Sequence, residues 1–357
     1  RLAREIGWRA GQAFALYLLG DAHGWQGEYD RAFPLALESL AVAEEIDHLQ
    51  WQCGARRALG MMLLELYVLP AARAQLEQAH AIALRLGART WIRWTAAPLA
   101  IAMARSGEFE AAQVVLDDAA IPSPLGRDAL RDGDENSPTL GERYLMLARA
   151  ELALEQGEPQ AALNIVNGRL AAERGPVPRL MLIRAQALLA IDDIEGARNA
   201  LEDVQGVAVE QNIQPLLCRI LLTKGALLRK LRRHAEARQV LSEARTIGLT
   251  MAAKIADDEY RTAFELAIRE LAPGLPTPTA LQKAKASSGG LTARERDVAK
   301  LIAQGKANRV IARTLGIGER TVEGYVAAGL AKLGFSARAQ LATWWTEQGL
   351  SATTKSH

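Results

Sequence analysis

The sequence predicts an all-α protein in two parts, an array of helical hairpins followed by a four-helix module. Alanine and leucine dominate the chain, and the β-branched runs that are typical of strands are absent. A small residue recurs at regular intervals through residues 1–272, and glycines separate short amphipathic segments in the last part of the chain. Apolar residues at helical spacing, without alternation of period two, favour helices in both parts.

Length and composition bound the possible classes of protein. The chain has 357 residues, enough for two or more domains, and 49% of them are hydrophobic. There is no apolar run of about 18 residues and no signal peptide, so we expect a cytoplasmic protein without a membrane span. Cys53 and Cys218 are too few for a disulfide framework and are expected to be small buried side chains. Because Arg1 stands inside a helical pattern, we also expect that further sequence precedes it.

The recurring small residues divide the first part into six units. They are Gly20, Gly60, Ala100, Ala150, Ala185 and Gly225. An alanine follows each of them after twelve residues, at Ala32, Ala72, Ala112, Ala162, Ala197 and Ala237. Four residues further on stand Ala36, Leu76, Leu116, Val166, Leu201 and Leu241. This pattern predicts pairs of helices whose backbones approach closely at the small residues, with the third residue filling the gap between units.

Turn-forming residues lie between the two helices of several units, at Gly27, Gly107, Gly157 and Asp192-Asp193. The units resemble tetratricopeptide repeats with longer helices, and stacked repeats of that kind form a superhelix with a concave face. The simpler alternative is an alanine-rich helical protein in which the spacing has no such meaning. We assign residues 1–272 to the array, which would serve as a sensor or interaction surface.

Two segments interrupt the helical pattern. The segment from Ile121 to Gly141 contains three prolines and an acidic run, and predicts a long exposed loop. It is either a disordered insertion or a binding loop. Residues 273–290 are rich in Pro, Ser and Gly, and predict a flexible linker to the second part.

The second part, residues 291–350 with a tail at 351–357, begins with a capping box at Thr292 and Glu295. A first helix follows and ends near Gly305, and a second ends at Gly316. A third helix from Glu319 carries an apolar stripe at helical spacing, formed by Val322, Val326, Leu330 and Leu333. Ser336 is expected to cap a fourth helix, Ala337 to Gln348, whose Leu341, Trp344 and Trp345 would close the core. Two short helices joined by a tight glycine turn predict a helix-turn-helix.

The module resembles the LuxR-type C-terminal domain of bacterial transcription regulators. The matching residues are Leu291-Thr292, Arg294-Glu295, Gly305, Asn308, Ile311-Ala312, Leu315-Gly316-Ile317, Thr321-Val322 and Lys332-Leu333-Gly334. The resemblance implies a dimer on double-stranded DNA, with the third helix in the major groove and Thr321 and nearby basic residues on phosphates. It leads us to expect DNA contacts at Arg309, Arg320, Thr321, Glu323, Gly324, Tyr325, Ala327 and Lys332.

The third helix departs from the family at several positions. The replacements are Gly318 for Ser, Glu323 for a basic residue, Tyr325 for His, Gly324, Ala327 and Ala328 for polar or basic residues, and Gly329 for an apolar β-branched residue. The groove-facing surface is therefore bare, and Glu323 would approach phosphates unless it accepts a hydrogen bond from a cytosine amino group. Two interpretations stay open, a sequence-specific reader and a degenerate one.

The charge distribution favours nucleic acid as a partner of the module. Residues 291–350 carry nine basic and five acidic side chains, a net charge of +4, whereas residues 1–272 carry −5. A basic end on an acidic body is the asymmetry expected of a DNA-binding domain joined to a body that does not bind DNA. An ordinary solvated helical surface could carry the same charge.

No pattern in the sequence predicts catalysis, a cofactor or a metal. Gly305-Lys306 lacks the rest of a phosphate-binding loop, and the five histidines are scattered. We therefore expect a protein that is not an enzyme. Trp91 and Trp94, three residues apart on one helix face, could line a ligand groove, although packing between helices is the simpler interpretation.

Repeats followed by a LuxR-type module are similar to the MalT-like transcription activators, in which a signal-transduction ATPase domain precedes the repeats. This chain matches the last two parts of that organisation. We therefore expect a transcription regulator whose repeats bind a small-molecule inducer or a protein partner, with RNA polymerase as a further partner. The alternative is a protein-interaction scaffold with a degenerate DNA-binding module.

Overall fold

The protein is described by a computed structural model that covers residues 2–121, 139–170, 176–272, 291–333, 335 and 337–353. The chain divides into two compact units, Arg1–Leu275 and Pro276–His357. Eighteen α-helices and no strand lie in the described ranges, which confirms the predicted all-α class. Within the same ranges, no helix combines the length and the apolar character that crossing a bilayer requires.

In the residues of unit 1 that the structure describes, six helical hairpins follow a short helix, and one further helix follows them. The helices are α1 (Leu2–Glu5), α2 (Arg9–Gln26), α3 (Tyr29–Glu45), α4 (Leu49–Glu65), α5 (Leu69–Leu86), α6 (Arg89–Arg105), α7 (Phe109–Ala120), α8 (Leu140–Glu155), α9 (Pro159–Leu170), α10 (Pro178–Ala190), α11 (Ile194–Glu210), α12 (Gln214–Lys230), α13 (His234–Ala252) and α14 (Asp258–Leu271). The hairpins pair α2 with α3, α4 with α5, and so on to α12 with α13.

The hairpins close into a ring. The first helices of successive hairpins contact one another in chain order, and α12 also contacts α2. At the point of closure, the rings of Phe33 and Tyr260 lie 6.2 Å apart. Helices α2, α4, α6, α8, α10 and α12 therefore face the inside of the array, and their partners form its outer layer.

The predicted close approach of paired helices is present in the structure. A methyl group added at Gly20 would lie 3.1 Å from the backbone nitrogen of Ala36 and 3.2 Å from the carbonyl oxygen of Ala32. One added at Gly60 would lie 2.5 Å from Cγ of Leu76. All of the predicted small and gap-filling residues are buried. The residues at the predicted spacing therefore lie where the two helices of each hairpin contact each other.

The turns inside the hairpins share one backbone conformation. The residue seven positions after each small residue has a positive φ, and these residues are Gly27, Tyr67, Gly107, Gly157, Asp192 and Arg232. Glycine adopts this left-handed conformation without strain, whereas Tyr67 and Arg232 do not favour it. The turns at these two residues were missed in the sequence because neither residue is a typical turn former.

The two interruptions fall mainly outside the described residues, at 122–138 and 273–290. The first predicted loop ends earlier than expected, because α8 already begins at Leu140. Its start is fixed by a capping box in which Thr139 accepts from the backbone of Glu142 and Glu142 accepts from that of Thr139. The capping box therefore fixes the start of α8 inside the segment that was expected to be a loop.

The described residues of unit 2 form four helices, α15 (Ala293–Ala303), α16 (Asn308–Leu315), α17 (Glu319–Leu333) and α18 (Arg338–Thr353). They enclose a small core whose fully buried side chains include Leu291, Val298, Ile311, Val322 and Leu341. Trp344 and Trp345 pack against this core, as predicted. Ser336, the expected cap of the fourth helix, lies outside the described residues, and the side-chain oxygen of Gln340 accepts from the Ala337 backbone at 2.9 Å.

Candidate nucleic-acid interface

The helix-turn-helix is formed by α16, the turn at Gly316–Gly318, and α17. The capping box at Thr292 and Glu295 starts α15, as the sequence predicts. Gly316 ends α16 in the left-handed conformation with a φ of +66°. Ile317 turns inward against the core, and its backbone N–H donates to the carbonyl of Ala312 at 3.0 Å. This closure of the turn holds α17 against α16.

Helix α17 has one buried face and one exposed face. Val322 and Gly329 are buried towards the core. The opposite face exposes Arg320, Thr321, Glu323, Gly324 and Ala327, which are five of the residues predicted to contact DNA. The structure therefore brings these five together on one accessible surface, with Arg320 and Thr321 at the start of the helix.

The remaining three predicted residues have different surroundings. Arg309 is exposed on α16. Tyr325 is half-buried and packs against the core of unit 2. Its side chain therefore supports the position of α17 as well as bordering the exposed face.

Lys332 is held by an ion pair inside unit 2. Its Nζ lies 2.6 and 2.7 Å from the two oxygens of Glu295, which is 6% exposed. Burial opposes the charge of Glu295, but the hydrogen bonds from Lys332 and Thr292 outweigh it and hold the pKa of this carboxyl below its ordinary value. The pair connects the beginning of α15 to the end of α17, so it positions the exposed helix.

Arg338 is a second positioning residue, and the sequence pattern predicted no role for it beyond its charge. Its guanidinium donates to Oδ1 of Asn308 at 2.6 Å and to the carbonyl of Lys306 at 2.7 Å. These bonds connect α18 to the start of α16. Asn308, which accepts one of these hydrogen bonds, is among the residues that match the LuxR-type pattern. That match was the signal in the sequence that could have pointed to this contact.

The exposed face of α17 is small, and around Arg320 it carries more acidic than basic side chains. Arg320 is offset by Glu319 and Glu323, and Gly324 and Ala327 carry no polar side-chain atoms. At Gly324 and Ala327 the helix backbone could approach DNA closely. Few side chains on this face are long enough to bind base edges. This surface is suited to phosphate contact at the helix start and to close packing in a groove further along.

Comparison with known proteins supports the assignment of this unit. Residues 290–345 match the family model described as bacterial regulatory proteins, luxR family. The C-terminal unit contains a LuxR-type helix-turn-helix domain. The chain is also 50% identical over 54 residues to the nitrate/nitrite response regulator protein NarL of Escherichia coli strain K12, and equally so to the protein of that name from Escherichia coli O6:H1 strain CFT073. Each match covers 15% of this chain, which spans a quarter of the length of either relative.

The tryptophans considered as ligand residues lie outside the LuxR-type domain, in unit 1. Trp91 is 8% exposed and packs edge-on against Trp51 at 6.4 Å and Trp94 at 5.3 Å between ring centroids. Trp94 is half-buried beneath the guanidinium of Arg57, which lies 5.8 Å from its ring. This placement favours packing between helices, and a ligand groove at Trp91 and Trp94 stays a prediction.

Proposed function

We propose that the chain is a DNA-binding transcription regulator in which α17 binds operator DNA in the major groove. Unit 1, with tetratricopeptide-like repeats, would bind an inducer or a protein partner that controls this binding, as in MalT-like regulators. The observation that carries the proposal is the LuxR-type match over residues 290–345 together with the exposed face of α17.

Within this proposal, the residues of the interface have two kinds of task. Arg320 and Thr321, exposed at the first turn of α17, would bind phosphates, where the helix N-terminus also favours negative charge. Arg309 would add a phosphate contact from α16. Glu323, Gly324 and Ala327 would face base edges, and two copies of the chain would bind a two-fold symmetric operator.

The first experiment measures binding of the full chain to a library of genomic DNA fragments at several salt concentrations. We expect enrichment of a short symmetric site, with affinity falling as salt rises because bound phosphates release counterions. Arg320→Ala should weaken binding on every sequence and reduce the salt slope by about 1. Arg269→Ala, on α14 of unit 1, removes the same charge far along the chain from α17 and serves as the matched control.

A second candidate function is supported by the short side chains of α17. With Glu323, Gly324 and Ala327 on its exposed face, the module could bind DNA without reading its sequence, and the repeats would act as a protein-interaction scaffold. The same library experiment separates the two functions. Weak binding without an enriched site, and a large gain in affinity from Glu323→Lys, would favour the scaffold; tight, selective binding that Glu323→Lys does not improve would exclude it.

A further inference from the structure

A cavity of about 540 Å³ lies among the inner helices of unit 1. Its wall combines the polar side chains of Arg105, Glu151, Arg219 and Thr223 with leucines from several helices. The leucines are Leu69, Leu154, Leu189, Leu222 and Leu271. The polar side chains of Tyr67, Glu155 and Gln186 also line it. Polar and apolar groups therefore share the wall, and the volume is of the size typical of small-molecule sites.

Two buried ion pairs lie at and beside this cavity. Arg105 donates to Glu151 at 2.9 Å, and Arg179 forms a hydrogen-bonded ion pair with Glu65. These side chains are at most 12% exposed. Burial opposes the charge of Glu151, but Arg105 and Arg219 outweigh it and lower the pKa of Glu151 to about 2. Both carboxylates are therefore ionised, and each has an arginine of its own.

Arg219 is the fifth member of this cluster and brings one positive charge in excess. Its side chain is 10% exposed, and its nitrogens lie 3.8 Å from Glu65 and 3.6 Å from Glu151, beyond the range of a full hydrogen bond. Burial opposes the charge of Arg219, but Glu151 and Glu65 outweigh it and raise the pKa of the guanidinium above its ordinary value. Because these ion pairs are long and a guanidinium has five N–H donors, Arg219 can still bind a closer anion. Among the described residues that line the cavity, Glu155 is the other carboxylate; it lies at the rim, and partial desolvation raises the pKa of its carboxyl.

We propose that the cavity binds a small organic anion, a single carboxylate joined to an apolar body, with the guanidinium of Arg219 as its charge partner. An arginine fork matches a carboxylate in geometry, and the leucines of the wall accommodate the apolar part. The inference rests on the proposed sensor function of unit 1 and names its ligand class. Leu271, the last residue of α14, is part of the wall, so an occupied cavity would contact the end of the array from which the chain continues to the LuxR-type domain.

The test is calorimetric titration of the full chain with straight-chain carboxylates from acetate to octanoate, with benzoate, and with the matching neutral amides. We expect saturable binding of at least one carboxylate of intermediate length, at least tenfold tighter than its amide. Arg219→Gln should abolish this preference without loss of fold, because both ion pairs of the cluster remain in place. Arg198→Gln, an exposed arginine on the outer helix α11, is the matched control and should bind as the original chain does.

Three results would overturn the inference. They are equal binding of acid and amide, unchanged binding in the Arg219→Gln variant, and no binding of any member of the series. Preference for inorganic phosphate over all of the carboxylates would also count against it. The proposed regulator function fails separately, if no operator is enriched although the carboxylate binds. A ligand effect on operator affinity that disappears in Arg219→Gln would support both.

Discussion

Replacement of Gly60 by alanine tests the close approach on which the repeat array is built. A methyl group at Gly60 in α4 would lie 2.5 Å from Cγ and 2.7 Å from Cδ2 of Leu76, and 3.2 Å from the carbonyl oxygen of Ala72. Carbon atoms in contact prefer about 3.5–4.0 Å, so the fully buried Leu76 would have to move by about 1 Å. The contact involves the branching carbon of Leu76, which cannot yield without moving the whole side chain.

The magnitude follows from two opposing effects. Overpacking of a core costs about 1–3 kcal/mol, and the displacement required here places the cost at the upper end. Alanine is more favourable than glycine inside a helix by about 1 kcal/mol. We therefore expect Gly60→Ala to lower the free energy of unfolding by about 2 kcal/mol. Urea unfolding followed by circular dichroism, with hydrogen exchange of α4 and α5, would measure it.

Gly206 provides the matched control, because a methyl group there meets no heavy atom within 4 Å in the exposed part of α11. Gly206→Ala should raise stability by up to about 1 kcal/mol. In a Leu76→Ala background the obstacle is gone, so Gly60→Ala should also become stabilising, and the two substitutions should couple strongly. If Gly60→Ala alone stabilised the chain as Gly206→Ala does, the paired-helix packing would be refuted.

Two further predictions concern the LuxR-type domain. Gly329→Ala should stabilise it by about 1 kcal/mol, since the new methyl group would lie at ordinary contact distances of 3.6 and 3.8 Å from Leu291 and Leu341; a lower unfolding midpoint would contradict this packing. The depressed pKa of Glu295 contributes stability above the usual glutamate pKa of about 4.3, and this contribution is lost as the pH falls through the folded-state value. Lys332→Met should therefore flatten the acid side of the domain's stability profile, and identical profiles for the two proteins would disprove the role of the ion pair.

The hairpins of unit 1 were predictable because their determinants are local. A glycine or alanine followed by small and gap-filling residues at fixed spacing recurs in the sequence, and the same residues form the contact lines in the structure. The turns at Tyr67 and Arg232 were not predictable in the same way. There the packing of the flanking helices imposes a left-handed backbone on residues that do not favour it.

The outline of the candidate interface was predictable from the sequence, but some of its contacts were not. The exposed positions of Arg320 and Thr321 follow from the helical period, since the buried Val322 fixes the opposite face. The ion pair of Lys332 with Glu295 joins residues 37 positions apart, and no periodic signal reports such a contact. Lys332, which was predicted to contact DNA, therefore also forms an ion pair within its own domain.

By itself, the sequence determined the all-α class, the six hairpins and the LuxR-type module, because helix period, small-residue spacing and caps act between neighbours in the chain. Tertiary structure alone decided the contact of α12 with α2 and the ion pairs that join Glu65 and Glu151 to Arg219. These residues come from helices far apart in sequence. Their charges interact strongly only after the ring of inner helices removes them from water.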